Sequence, residues 1–385
     1  MNFEFTDEMK LMQSTMKKFV EKECLPLERE LCYKDPDWVE LPPEIHKEMV
    51  EKVKKAGLWA LSAPEQYGGV GLDPLMMSVL RVEQAKTTIG TAHHNPFGGD
   101  PPGILYSCTD EQKERYLLPY IRGEKRSAMG NTEPGAGSDA AAISTSAVKQ
   151  GDKWVLNGRK LFSTMADKAD FVFITAVNDK EKRGRGGISM FIVDRDTPGF
   201  NVERHVEVIR PQYSTEIAID NVEVSENQIL GKLGYGFNLF QEWANHGRTM
   251  MAGSCIGRCE RAFKLAVDHA KQRVTFGQPL SKRQAIQWML VDSAIEIKQA
   301  WLMMLECAWK LTNKMDIRNE TAMLKLFATE MAFRVLDRTI QIHGGMGLTK
   351  ELPLERWFRE VRVMRVVEGA SEIQRFVIAR NLFRD

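Results

Sequence analysis

Hydrophobic positions fall at helical spacing in the first third of the chain, at strand spacing in the middle, and at helical spacing again to the end. The first zone predicts helices over Thr6–Leu31, Pro43–Lys55, Pro74–Ala85 and Asp110–Arg122. Two of them open on hydroxyl caps with acidic first turns, Thr6-Asp7-Glu8 and Thr109-Asp110-Glu111-Gln112. From about 125 to 235 the pattern breaks into short β-branched and aromatic runs, among them ADFVFITAV, GGISMFIVD and STEIAIDNVEV. Gln150-Gly151-Asp152-Lys153 predicts a turn, and Asn157-Gly158 is a strong hairpin signal. The third zone predicts long helices over Arg248–Lys271, Arg283–Leu311 and Asn319–Ile342, and a closing helix from about Ser371.

Helices, then strands, then helices, without βαβ alternation, argue against a doubly wound nucleotide fold and for an α+β multidomain protein. The expected parts are an N-terminal helical domain (1–122), a middle antiparallel β-barrel or sandwich (123–235) and a C-terminal helical domain (236–385). A chain of 385 residues exceeds what a single core usually supports, about 250–300 residues.

Lys plus Arg number 53 against 52 Asp plus Glu, so no basic surface suits nucleic acid. No apolar run approaches the ~18 residues of a membrane helix. The opening MNFEFTDEMK is polar and acidic, which predicts a cytoplasmic protein, or a mitochondrial-matrix one if a leader has been removed. Six scattered cysteines without a CxxC pair suit a reducing compartment. Cys255 and Cys259 share a helix face and are expected to be small buried residues. No metal is expected. Adjacent His93 and His94 point to different faces, and no cluster of acidic or Cys partners accompanies them.

The chemistry candidates lie in loops. In RVVEGASEIQR, Ser371-Glu372-Ile373-Gln374 fits a capping box, so Glu368 is expected on the loop entering the last helix. By itself Glu368 reads either as a functional carboxylate in an apolar slot or as an ion-pair partner of Arg365 or Arg362. Thr132-Glu133-Pro134-Gly135-Ala136-Gly137-Ser138-Asp139 would let backbone approach a ligand closely, or be an ordinary loop. Arg273-Val274-Thr275-Phe276-Gly277 sets a fixed positive charge beside a hydroxyl at a helix end, where Arg is most often a dipole partner. His343-Gly344-Gly345-Met346-Gly347 reads as a glycine-capped helix end. The basic run Lys180–Gly187 reads as a solvated loop tip.

The order and spacing of TEPGAGSD, NGRKLFST, the arginine helix at 248, RVTFGQPL, QIHGGMGL and VVEGASEIQ resemble the acyl-CoA dehydrogenases, from the first helix to the last residues. The resemblance implies an N-terminal helical domain, a middle β-domain and a C-terminal four-helix bundle. It also implies FAD, a homotetramer built as a dimer of dimers, and an electron-transfer flavoprotein as partner. Glu368 would take the α-proton of an acyl-CoA while the β-hydrogen leaves as hydride to the flavin. The thioester oxygen would be met by the backbone N–H of Glu368 and a ribityl hydroxyl.

The same resemblance assigns the cofactor contacts. Asn131 and Thr132 match the isoalloxazine edge, Phe162 the ring that packs on it, and Ser163 and Thr164 the contacts near N5. Arg273, Thr275, Phe276 and Gln284 match a neighbouring subunit's grip on pyrophosphate and adenine. Gln341, Gly344 and Gly345 match the adenosine-side loop of another subunit. Ala370, Ser371 and Glu372 follow the base, with Ala370 where the family usually has threonine. For the substrate, Ser138 and Arg248 match contacts to the phosphopantetheine arm and CoA tail, Asn245 stands where many members have aspartate, and Gly369 would let backbone approach the thioester. Val367 precedes the base, and with His93, His94 and Asp100 it points to a short, branched, cyclic or polar acyl group. Two other readings remain open: an enoyl-CoA reductase running the reverse reaction in an electron-transfer-flavoprotein complex, and a non-catalytic CoA-binding paralogue.

Overall fold

The computed structural model describes residues 4–384 except Pro36, residues 92–94 and residues 210–212. The N-terminal part holds α1 (Asp7–Phe19), α2 (Leu25–Lys34), α3 (Pro43–Lys55), α4 (Pro74–Gln84), α5 (Asp110–Gln112) and α6 (Leu118–Arg122). α1 runs into α2 through a π-helical turn at Val20–Cys24, and α5 into α6 through one at Lys113–Leu117. Each π turn lies just ahead of a proline, Pro26 or Pro119, that has no N–H for the preceding turn, and the wider spacing accommodates it. Both expected caps form. Thr6 Oγ1 accepts from the Met9 N–H at 3.2 Å, and Thr109 with Gln112 makes a complete capping box.

The middle part is a seven-stranded sheet of β1 (Ser127–Gly130), β2 (Ser146–Gln150), β3 (Lys153–Lys160), β4 (Phe171–Val177), β5 (Ile188–Asp194), β6 (Phe200–Glu207) and β7 (Tyr213–Ser225). The spatial order is β1-β4-β2-β3-β7-β6, with β5 also on β4. Pairing is mostly antiparallel, but β1 runs parallel to β4, and the single β2–β4 pairing is parallel too. Gly151 and Asp152 make the β2–β3 turn as expected, with Gly151 at φ 63°. Asn157-Gly158, expected as a hairpin, lies inside β3, where the register with β7 shifts between Leu156 and Gly158. Glycine stands there for close packing, since a Cβ would fall 2.4 Å from Thr145 Oγ1. β4 and β5 are buried on both faces and so read as unbroken apolar runs. Val172, Ile174, Phe191 and Val193 face the sheet's own core, while Phe171, Phe173, Met190 and Ile192 pack on Leu105, Tyr116, Leu117 and Leu239.

The C-terminal part holds three long helices, α7 (Gly236–Gln272), α8 (Gln284–Thr312) and α9 (Arg318–His343), with α10 (Leu354–Met364) and α11 (Ser371–Leu382) laid on α9. α7 begins well before the expected Arg248. Gly236 permits this, because a Cβ there would meet the Ser189 and Met190 backbone of β5 at 2.3–2.4 Å. The bundle core joins Ile256 and Cys259 of α7, Met304 of α8, Leu324, Ala328 and Leu336 of α9 and Trp357 of α10. Cys255 and Cys259 are free and buried, as expected. Among the described residues no helix is long and apolar enough to cross a membrane.

Candidate active site

Glu368 lies on the short loop between α10 and α11, and two consecutive left-handed residues shape that loop: Glu368 at φ 54° and Gly369 at φ 93°. Such a backbone persists only where its surroundings hold it. Here the holders are side-chain donors to the two carbonyls. Arg248 Nε donates to the Glu368 carbonyl at 3.0 Å, and Lys325 Nζ donates to the Gly369 carbonyl at 2.8 Å. Gln374 Nε2 donates to both, at 3.3 and 2.9 Å.

The carboxylate has the opposite treatment. Glu368 Oε2 is buried and has no hydrogen-bond partner among the described residues. It lies against the helix backbone of α7 at Gly247, where a Cβ would come within 2.5 Å of Oε2 and 3.0 Å of Oε1. Glycine at that position is what makes room for the acid. Burial raises the Glu368 carboxyl to about 7, against the opposing charges of Arg248 and Lys325. The ion-pair reading of Glu368 gains no support from Arg365, which pairs instead with Glu330 at 2.9 Å.

Beside the loop, Asn245 Oδ1 accepts from Arg248 Nη1 at 2.9 Å and from Thr321 Oγ1 at 3.4 Å. Asn245 thus orients the arginine. The expected capping box at the start of α11 does not form. Ala370 is the N-cap, and Ser371 is already in the first turn, so its Oγ points away to donate to Glu330 at 2.7 Å. Gln374 is free to serve the Glu368 and Gly369 carbonyls instead. Val366 and Val367, beside Glu368, are exposed at 56% and 39%.

A second group gathers around the loops after β1 and β3. Asn131 is buried, with Oδ1 accepting from Thr175 Oγ1 at 2.8 Å and Nδ2 left without a partner. Ser163 is buried and its Oγ is also unpartnered. Between them in sequence, Phe162 adopts φ 57° and exposes 53% of its surface. Thr164 Oγ1 bonds Ser214 Oγ at 2.8 Å, and the Thr132 carbonyl accepts from the Leu161 N–H at 2.7 Å. Two orphaned buried polar atoms flanking an exposed ring, held in strained backbone, fit a planar heteroaromatic group with hydrogen-bonding edges. These residues therefore suit the isoalloxazine of FAD. Ser138 lies exposed on the following loop.

The third group sits at the far end of the bundle. Arg273 caps α7, and Phe276 tops the small hairpin of β8 (Val274–Thr275) and β9 (Gln278–Pro279), 97% exposed at φ 48°. Gln284 opens α8. Gln341, Gly344 and Gly345 end α9 nearby, since His343 stacks on His269 of α7 at 4.5 Å. The 26 residues of α7 from Gly247 to Gln272 span about 39 Å. The third group is thus remote from Glu368 within one chain.

Asp100 is brought to Ser62, with Oδ1 accepting from the Ser62 N–H at 2.7 Å and its Oγ at 2.9 Å. Burial raises its carboxyl. No hydrogen bond or ion pair among the described residues joins it to Glu368. His93 and His94 lie outside the described residues. Ala370 and Glu372 make no side-chain hydrogen bond among the described residues, Ala370 for want of a polar group.

Family models for the acyl-CoA dehydrogenase N-terminal, middle and C-terminal domains match residues 6–124, 128–222 and 234–383 in that order. The chain belongs to the acyl-CoA dehydrogenase family. It is accordingly an oxidoreductase of a family that binds FAD. It is 37% identical to the (R)-benzylsuccinyl-CoA dehydrogenase of Thauera aromatica, over 100% of this chain and 98% of that one. It is 34% identical to subunit CarC of the caffeyl-CoA reductase-Etf complex of Acetobacterium woodii, over 99% of each. The structure of butyryl-CoA dehydrogenase from Megasphaera elsdenii superposes over 100% of both chains with a TM-score of 0.89 at 31% identity.

Four residues that shape this acyl-CoA dehydrogenase site were not singled out as site residues in the sequence: Lys325, Glu330, Gln374 and Lys160. Lys325 had left a signal. It stands among Thr321, Leu324, Ala328, Thr329 and Ala332, on the side of α9 that the periodicity assigns to the core, where a lysine needs a partner.

Proposed function

We propose that this acyl-CoA dehydrogenase oxidises the α,β-bond of an acyl-CoA thioester, with Glu368 as the base for the α-proton. The observation that carries the reading is the Glu368 carboxylate: buried, unpartnered at Oε2, and raised to about 7 over a helix that has given up a side chain to admit it. A base near 7 is matched to proton transfer at neutral pH. FAD, when bound, supplies the two-electron acceptor. Asn131, Thr132, Phe162, Ser163 and Thr164 would hold its ring system. Ala370, Ser371 and Glu372 complete the loop after the base. Arg248, with Asn245 behind it, meets the CoA tail, Ser138 meets the pantetheine arm, and Gly369, which carries no side chain, admits the thioester.

Arg273, Thr275, Phe276, Gln284, Gln341, Gly344 and Gly345 serve the cofactor of a neighbouring subunit in this reading, which their distance along α7 supports. A homotetramer follows, with the exposed stripe Trp288, Val291, Ile295, Leu302 and Trp309 of α8 available for subunit contact. The corresponding domains are 1–122, 123–235 and 236–385. The acyl group is short, branched, cyclic or polar. Support comes from Val367 before the base and from Asp100, whose Oδ1 alone is engaged by Ser62. The benzylsuccinyl and caffeyl groups of the two relatives make a ring-bearing acyl group a leading case.

The reverse reaction, an enoyl-CoA reductase partnered by an electron-transfer flavoprotein, is the second reading. The CarC relative favours it, and a carboxyl near 7 can deliver a proton as well as take one. Anaerobic addition of a panel of short, branched and aryl acyl-CoA esters to the purified flavoprotein tests the first reading. Bleaching of the flavin band by a panel member supports it. Bleaching absent with every saturated ester, but re-oxidation of dithionite-reduced enzyme by an enoyl-CoA, would select the reductase. Neither response, with flavin bound, would remove both.

A further inference from the structure

We propose that Lys325 is a positioning residue for the reaction: through the Gly369 carbonyl it holds the base loop in its left-handed conformation and places its charge beside the Glu368 carboxylate. The inference rests on Glu368 being the base.

Three observations on α9 carry it. Lys325 is fully buried, at 0% exposure, and Gly369 is the partner of its ammonium, at 2.8 Å. A lysine is almost never fully buried without a specific partner. Second, α9 grips the loop at more than one level. One turn earlier Thr321 reaches Asn245, which orients Arg248 onto the Glu368 carbonyl. About a turn later Glu330 takes Arg365 at one end of the loop and Ser371 at the other. Third, what these contacts hold is a backbone that two successive residues adopt only when constrained, Glu368 and Gly369. An ordinary loop between two helices needs none of this apparatus.

The charge has its own consequence. Glu368 faces Arg248 from α7 and Lys325 from α9. Lys325 itself faces Glu368, Cys255, Arg248 and Glu330. Both cations favour the carboxylate over the acid against the burial that opposes it. Without Lys325, less of the base would be ionised at neutral pH, and the loop would lose one of the donors that aim it.

The test is a pair of substitutions with different chemistry. Lys325→Met removes donor and charge at similar chain length; the Gly369 carbonyl keeps its Gln374 donor and the Glu368 carboxyl can take a proton, so the variant is expected to fold. Lys325→Gln keeps a donor without the charge and reads the same electrostatic effect independently. Lys325→Arg restores the charge. Ser371→Ala loosens the loop while leaving every charge in place. The primary readout is the titration of Glu368 itself, followed as the protonated-carboxyl infrared band that disappears in Glu368→Gln. In Lys325→Met and Lys325→Gln this titration is expected to move up by about one pH unit, to return in Lys325→Arg, and to stay put in Ser371→Ala. The pH limb of turnover should move with it in the same sense. A rate that needs the carboxylate rises later, and one that needs the acid persists later. An unmoved titration in folded Lys325→Met and Lys325→Gln overturns the proposal. A moved titration in a protein that processes no acyl-CoA or enoyl-CoA leaves the positioning intact and removes the proposed reaction, so the two failures are told apart.

Discussion

Two buried carboxylates in this molecule, those of Glu133 and Glu368, are treated in opposite ways. Glu133, in the loop after β1, is buried, which alone would raise its carboxyl. Lys160 at 2.8 Å and the N–H and hydroxyl groups of Ser144 and Thr145, at 2.5–2.9 Å, outweigh that and take it to about 2. Glu368 is half-buried as a residue but its Oε2 is fully buried, nothing among the described residues bonds that atom, and the carboxyl rises to about 7. Burial is common to both. What separates them is where the donors are aimed: at the carboxylate of Glu133, and at the backbone carbonyls of Glu368 and Gly369. The first arrangement makes a permanent anion that braces the loop around Asn131. The second fixes the position of an acid while leaving it able to exchange a proton.

The comparison breaks most visibly at Glu368 itself. Glu368→Gln keeps the volume and removes the proposed base. Turnover, or the rate of flavin bleaching by substrate, should fall by about 10²- to 10⁴-fold while bound flavin and melting temperature are retained. Unchanged turnover in that variant would take Glu368 out of the chemistry.

The other half breaks in stability. Lys160→Met leaves the Glu133 carboxylate buried at 4% side-chain exposure with its countercharge gone. Removing one partner of a buried pair costs about 3–5 kcal/mol, which denaturant unfolding would register. Loss of flavin should accompany it, because Lys160 also holds the Asn131 carbonyl at 3.2 Å. At Gly247 the expected effect is on rate. Gly247→Ala puts a methyl where the Glu368 carboxylate is, and a displaced reacting group of about 1 Å can lose roughly 10²-fold in rate. The measurement is kcat alongside the melting temperature, which alanine in a helix should not lower.

The three-part architecture was legible because its periodicities are long and unmixed, and the caps at Thr6 and Thr109 were legible because capping is local chemistry. Asn157-Gly158 misled because the dipeptide reports a tolerance for unusual backbone, and that tolerance was used for close packing on Thr145. Ser371 and Gln374 misled because a capping box and a loop clamp ask for the same residue types, and only the offset of one residue at the N-cap decides between them. Glu368 was legible as an oddity from its apolar and glycine neighbours, and the role proposed for it came from six motifs in order across the chain. Lys325 and Gly247 act on Glu368 from 43 and 121 positions away in the chain, distances at which no local pattern can pair them.

The smallest effect is the sharpest form of the comparison, because the two acids must tilt the stability–pH curve in opposite directions. Glu133 has a folded value of about 2, below the ordinary 4.5. Between those values the unfolded chain binds more protons than the folded one, so the stabilisation is present above pH 4.5 and is lost as pH falls towards 2. Glu368 has a folded value of about 7, above the ordinary 4.5. Between those values the folded protein binds more protons, so stability declines as pH rises from 4.5 to 7. Glu368→Gln should flatten that decline and leave the acid loss untouched. Denaturant unfolding of the wild type and this variant across pH 2–8 reads the difference directly. A decline that persists unchanged in the variant would mean that the proton held between pH 4.5 and 7 belongs to some other group, and that the unpartnered Oε2 does not make Glu368 the exchangeable acid of the pair.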